Sequence, residues 1–142
     1  YIHGDQRRGA VVELTGPNME LAKDLAMHVV ATSPMVIRPE DLPQEVLDKE
    51  REIYVSQAEE SGKPADIVEK MVEGRIRKYV AEVSLLEQDF VKDPDKKVKD
   101  LLKSAEVDLV SFVRLEVGEG IEVEDEDFAS EVAAQIAASD QD

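Results

Sequence analysis

The 142 residues carry 17 Lys and Arg against 33 Asp and Glu, a formal net charge of -16. That balance disfavours nucleic acids and anionic membranes as partners, because phosphate binding needs clustered cations. Cysteine and Trp are absent and aromatic residues make up only 4%. Disulfides, thiol nucleophiles and thiolate metal sites are therefore excluded, and a base-stacking platform is disfavoured.

The length suits one domain, or one domain plus an appendage. The chain opens on a strand-like segment without an initiating Met and reads as a fragment or a processed chain. No basic start leads into an apolar h-region, and no apolar run approaches the roughly 20 residues of a membrane span. With no cysteine, the expected compartment is the cytoplasm.

"YIH" and "AVVEL" predict a strand pair around the turn "GDQRRG", bracketed by Gly4 and Gly9. "TGPN" ends the second strand, and Asn18 caps a helix through "MELAKDLAMHVVA". Leu21, Leu25 and His28 share one stripe of it, which makes His28 a core-edge residue rather than a ligand. The connector "TSPMVIRPEDLP" has three prolines, each restricting its predecessor, and should be fixed.

A helical run follows Pro43, with Val46, Glu50, Ile53 and Gln57 on one face and Tyr54 beside it. Gly62 supplies the left-handed cap, Pro64 prevents continuation, and Asp66 favours the next helix start. Ile67, Met71 and Arg75 form one stripe of that second helix, and Val72, Ile76 and Tyr79 another. Two long helices joined so tightly run antiparallel, with a seam through Ile53, Met71, Ile76 and Tyr79. Periodicity leaves open whether this hairpin projects or lies flat on the body.

"SLLEQDFVKDP" predicts an extended segment ending at Pro94, and "DKKVKDLLKSA" a short helix with Val98, Leu101 and Leu102 inward. "VDLVSFVRLEVG" is a strand, with Leu109, Ser111, Val113, Leu115 and Val117 on one face and Val110, Phe112, Arg114 and Glu116 on the other. The tail "DFASEVAAQIAA" predicts a small helix bearing Phe128, Val132 and Ile136 at four-residue spacing. The expected fold is α+β. An antiparallel sheet of about three strands is covered by helices over residues 1–44 and 82–120. A helical hairpin is inserted at 45–81, and a C-terminal helical module occupies 121–142.

Motifs for covalent chemistry are missing. Neither GxxxxGK[ST] nor GxGxxG occurs, and the acidic run "EVEDEDF" lacks EF-hand spacing. The two histidines, His3 and His28, show no zinc spacing, and no Ser has a nucleophile elbow. No catalytic residue, cofactor or metal site is expected.

Several stretches, "YIHGDQRRGAVVEL", "AKDLAMHV", "GKPADIVEKMVEGRIRKY", "EVSLLEQDFVKDP", "FVRLEVGEGIE" and "DFASEVAAQ", together resemble the bacterial translation elongation factor Ts family. The resemblance covers nearly the whole chain. It implies the second core subdomain, its inserted hairpin and the C-terminal module. The family's "TDFV" element, which lies in the first subdomain, has no counterpart here. The implied function is guanine nucleotide exchange on elongation factor Tu, promoting GDP release. The implied partner is Tu in its GDP-bound and nucleotide-free forms. The resemblance carries partner contacts onto His3, Phe128, Val132 and Ile136, and it also implies self-association. Without "TDFV", this chain is expected to bind more than it catalyses. The alternative is a structural or dimerising interaction module without exchange activity.

Overall fold

The computed structural model describes residues 1–121. In chain order the elements are β1 (Arg8–Leu14), α1 (Met19–Thr32), α2 (Gln44–Glu59), α3 (Ala65–Val83), β2 (Asp89–Phe90), β3 (Asp93–Lys97), α4 (Val98–Ser104) and β4 (Leu109–Glu116). Short 3-10 turns lie at Pro39–Asp41 and Leu85–Glu87. The fold class is α+β, as expected. Among the described residues, no helix is long and apolar enough to cross a membrane.

β1 and β4 pair antiparallel with Val11 opposite Val113, and β2 pairs antiparallel with β3. The expected third strand of the main sheet is reduced to one bridge, Ile2 with Gly9. Tyr1 and Ala10 exchange both backbone hydrogen bonds, and His3 N–H donates to Arg8 carbonyl. The turn at Gln6, with φ of 55°, follows at once and stops the ladder from lengthening. A second difference lies at Pro94, expected to end an extended segment but found inside β3. That strand has one partner and an irregular register, so a missing proline N–H breaks no ladder. The "DKK" expected to begin a helix is strand, and α4 starts at Val98.

α1 starts where Asn18 Oδ1 accepts the N–H of Leu21, as the sequence predicts. Its buried face, Leu25, Ala26, Val29 and Val30, packs on the inner face of β1–β4. Leu85, Phe90, Val98, Leu102 and Leu109 complete the core. A bulge at Glu13/Leu14 shifts the register, so Leu109 is buried although Phe112 and Arg114 carry the inward face of the rest of β4. The sequence leads to the expectation that β4 is partly buried on both faces near its start; Leu109 is buried but Val110 is 50% exposed, because the helix covers only one face.

α2 and α3 form an antiparallel hairpin, and α3 is the principal neighbour of α2. Gly62 turns the chain at φ 68°, and α3 resumes directly after Pro64. The seam differs from the expected one on α2, while on α3 Met71, Ile76 and Tyr79 are half-buried as expected. Ala58 and Val72 are its buried residues, while Ile53 is 47% exposed. The inward stripe of α2 runs through Leu47, Glu50, Tyr54 and Ala58, one residue round from the expected face. A small alanine carries little hydrophobic signal, yet it lets the two helices approach closely next to the turn. Arg75 links them across the seam, donating to Gln57 Oε1 at 2.7 Å and lying 5.8 Å from the Tyr54 ring centre.

The connector is fixed where it meets the hairpin base. Met35 N–H donates to Val83 carbonyl, Leu85 N–H donates to Val36 carbonyl, and Val36 bridges Ser84 in parallel.

Candidate functional site

His3 sits at the start of the turn that leads into β1. Tyr1 hydroxyl lies 3.1 Å from its Nδ1, which restrains a half-buried ring. Asp5 organises the turn: its carboxylate accepts Arg7 N–H at 3.0 Å and pairs with the Arg8 guanidinium at 2.7 Å. Arg7 N–H first, and then Arg8, holds the Asp5 carboxyl down at about 2. The turn thus presents a histidine and a neutralised cation on a rigid corner.

Beside it lies the outer face of the β1–β4 ribbon. Val11 and Leu115 are each 66% exposed, and Val113, Val117 and Ile2 share that surface. Opposite strand positions alternate between faces, so once α1 takes the Phe112 side these residues must look outward. The sequence reading did not identify this patch. The signal was present in the two apolar faces of "LVSFVRLEV", but nothing local says which face a helix covers.

Further away, a groove of about 410 Å³ opens between α2 and α3, lined by Arg51, Val55, Lys63 and Val68 among others. His28 belongs to none of these surfaces. It is fully buried and bonded to Gln88, in keeping with a core histidine. Among the described residues, no group of three or more His, Cys, Asp or Glu side chains is arranged to hold a metal ion. Phe128, Val132 and Ile136 lie outside the described residues.

Among the described residues, the accessible features are an apolar sheet face, a rigid polar corner and a helical hairpin. The model of the family described as Elongation factor TS matches residues 1–119. Elongation factor Ts of Hahella chejuensis is 60% identical over 136 residues, covering 96% of this chain and 48% of that protein. The same-named proteins of Marinobacter nauticus and Aeromonas salmonicida are each 60% identical, over 134 and 139 residues, covering 94% and 98% of this chain and 46% and 47% of theirs. The chain spans about half the length of the curated relatives it matches. With a match across most of its length, the chain belongs to the elongation factor TS family.

Proposed function

We propose that this chain is a docking part of a guanine nucleotide exchange factor for elongation factor Tu, acting in translation in the cytoplasm. The observation that carries this reading is the 60% identity to elongation factor Ts across almost the whole chain. Exchange makes and breaks no covalent bond. It needs a partner that binds nucleotide-free Tu more tightly than Tu–GDP, and the difference between those affinities is what expels GDP. In this reading His3 approaches the nucleotide-binding domain of Tu. Phe128, Val132 and Ile136 dock on the same domain. The body spans residues 1–44 and 82–120, the hairpin 45–81 and the docking module 121–142.

The test compares binding to Tu with release of fluorescent GDP. The chain binds Tu but accelerates release weakly beside a full-length relative, because "TDFV" has no counterpart here. Phe128→Ala weakens binding by about 2 kcal/mol or more, as truncation of an aromatic hot spot does, while the melting of the free chain stays unchanged. No binding overturns the assignment. Release equal to that of the full-length relative at equal occupancy overturns the view that this chain binds more than it catalyses.

One observation favours a second reading, a self-associating module. The outer face of β1–β4 exposes Val11, Val113 and Leu115 to solvent, and a second copy would offer a matching face.

A further inference from the structure

Besides its backbone bonds to the connector, the base of the hairpin meets the body around a buried imidazole. His28, on α1, is completely buried and stacks on Phe90 with ring centres 5.9 Å apart. Its Nε2 lies 2.8 Å from Gln88 Oε1, and its Nδ1 lies 3.2 Å from the backbone N of Val91. An amide N–H can only donate, so Nδ1 accepts and carries no proton. The ring is therefore the neutral Nε2–H form, donating to Gln88. Gln88 in turn donates from Nε2 to the carbonyl of Glu82, in the last turn of α3, at 2.7 Å. The Thr32 hydroxyl lies 3.0 Å from Gln88 Oε1 and 2.9 Å from the carbonyl of His28. One side chain, Gln88, thus ties α1 to the end of the hairpin, through a histidine whose second nitrogen is already committed.

We propose that His28, Gln88 and Val91 form a proton-sensitive joint that fixes the angle of the α2–α3 hairpin on the body, rigid while the imidazole is neutral and released when it gains a second proton. The chemistry is a donor conflict. A proton arriving at Nδ1 would face the Val91 N–H, two donors with no acceptor between them. The ring must then move away from Val91, and that movement disturbs the Nε2–H bond to Gln88 Oε1, leaving Thr32 alone to position the amide that holds the Glu82 carbonyl.

The charged groups on the surrounding elements do not relieve this conflict. Asp24, one turn earlier on α1, pairs with Lys92. Glu82 on α3 pairs with Lys78, Glu87 with Lys99, and Asp89 with Lys97. Each carboxylate has its own lysine, and the hydrogen bonds of the imidazole go to Gln88 and Val91. Burial pushes the pKa of His28 below its ordinary 6.5, against a smaller opposite pull from Gln88. The folded imidazole therefore takes its proton at lower pH than the unfolded one. The stability held in the joint is complete above the ordinary value and declines as the pH falls below it.

The test uses the whole 142-residue chain. Cysteine is absent, so spin labels at Glu60→Cys beside the hairpin turn and Lys23→Cys on the exposed side of α1 are unique. Their distance distribution is measured from pH 8 down through the pH at which His28 takes its second proton, followed by ring-nitrogen NMR on the same sample. It should be narrow at pH 8 and broaden as that proton is taken up, below the ordinary 6.5, while His28→Gln, which cannot take a proton, shows no such change. A constant distribution in the unsubstituted chain overturns the proposal, as does the same broadening in His28→Gln, which would assign it to His3 or another group. Ring-nitrogen NMR of the unsubstituted chain decides the matter even where His28→Gln fails to fold. The expected result is an unprotonated Nδ1 at pH 8, with a titration midpoint coinciding with the broadening. A protonated Nδ1 at pH 8, or midpoints that do not coincide, overturns it.

Discussion

Asp5 holds the corner that carries His3, and it does so with two different donors. The larger influence on its carboxyl is the backbone N–H of Arg7, and the second is the side chain of Arg8. Arg8→Ala should therefore raise the Asp5 midpoint from about 2 only part of the way to its ordinary 3.8. An NMR titration of the carboxyl carbon reads this directly, and a midpoint fully restored to the ordinary value would show that the backbone bond contributes nothing. Because the folded midpoint is depressed, the contribution of this turn is present above the ordinary value and is lost as pH falls towards about 2. Some single residues were legible in the sequence. Asn18 caps α1 and Gly62 takes positive φ, because each answers a purely local demand of the backbone. Gln88 was not legible. Its partners His28 and Thr32 are 60 and 56 residues away, and no local pattern records a hydrogen bond that only the fold creates.

At the scale of elements, the hairpin shows how far periodicity reaches. It predicts two helices and the turn between them, and it misses the seam by one position because Glu50 belongs to either stripe and Ala58 is small. The structure therefore reverses the expected sensitivities. Ala58 is buried and Ile53 is nearly half exposed. Ala58→Leu overpacks the close approach and should cost about 1–3 kcal/mol. Ile53→Ala removes a surface side chain and should stay within about 0.5 kcal/mol. Thermal melts of the two variants separate the readings, and a larger loss at Ile53 would restore the seam expected from the sequence. The base of the hairpin bears on its independence. The bonds of Met35 to Val83 and of Val36 to Leu85 lie on the body side of the two helices. Removing residues 46–81 and closing the gap with a short linker leaves those bonds in place, and the entropy of closing a loop grows only slowly with its length. The shortened chain should keep a cooperative melt. Loss of cooperativity would mean that the hairpin is part of the core and that the proposed boundaries are wrong.

For the molecule as a whole, the outer face of β1–β4 and the charge of -16 act against each other. Exposed Val11, Val113 and Leu115 gain from being covered by a second copy, at about 25 cal/mol per Å² of apolar surface removed from water. Two copies also bring together two strongly acidic chains, and their repulsion is long-ranged at low salt. The face is small: seven residue pairs on two strands project roughly 250 Å², well below the about 800 Å² per partner of a standard interface. Association through it is therefore weak and controlled by screening. Raising the salt from about 50 mM to about 500 mM shortens the Debye length to a few ångströms and leaves the apolar contact intact. Sedimentation equilibrium should show the dimer fraction rising with salt. Leu115→Lys should abolish that rise with little effect on the melt, since Leu115 is exposed in the single chain. A chain that stays monomeric at both salt concentrations, or a Leu115→Lys variant that associates as well as the unsubstituted chain, would remove self-association through this face. An association that weakens with salt would point instead to ion pairs between copies, and the apolar face would then have no part in it.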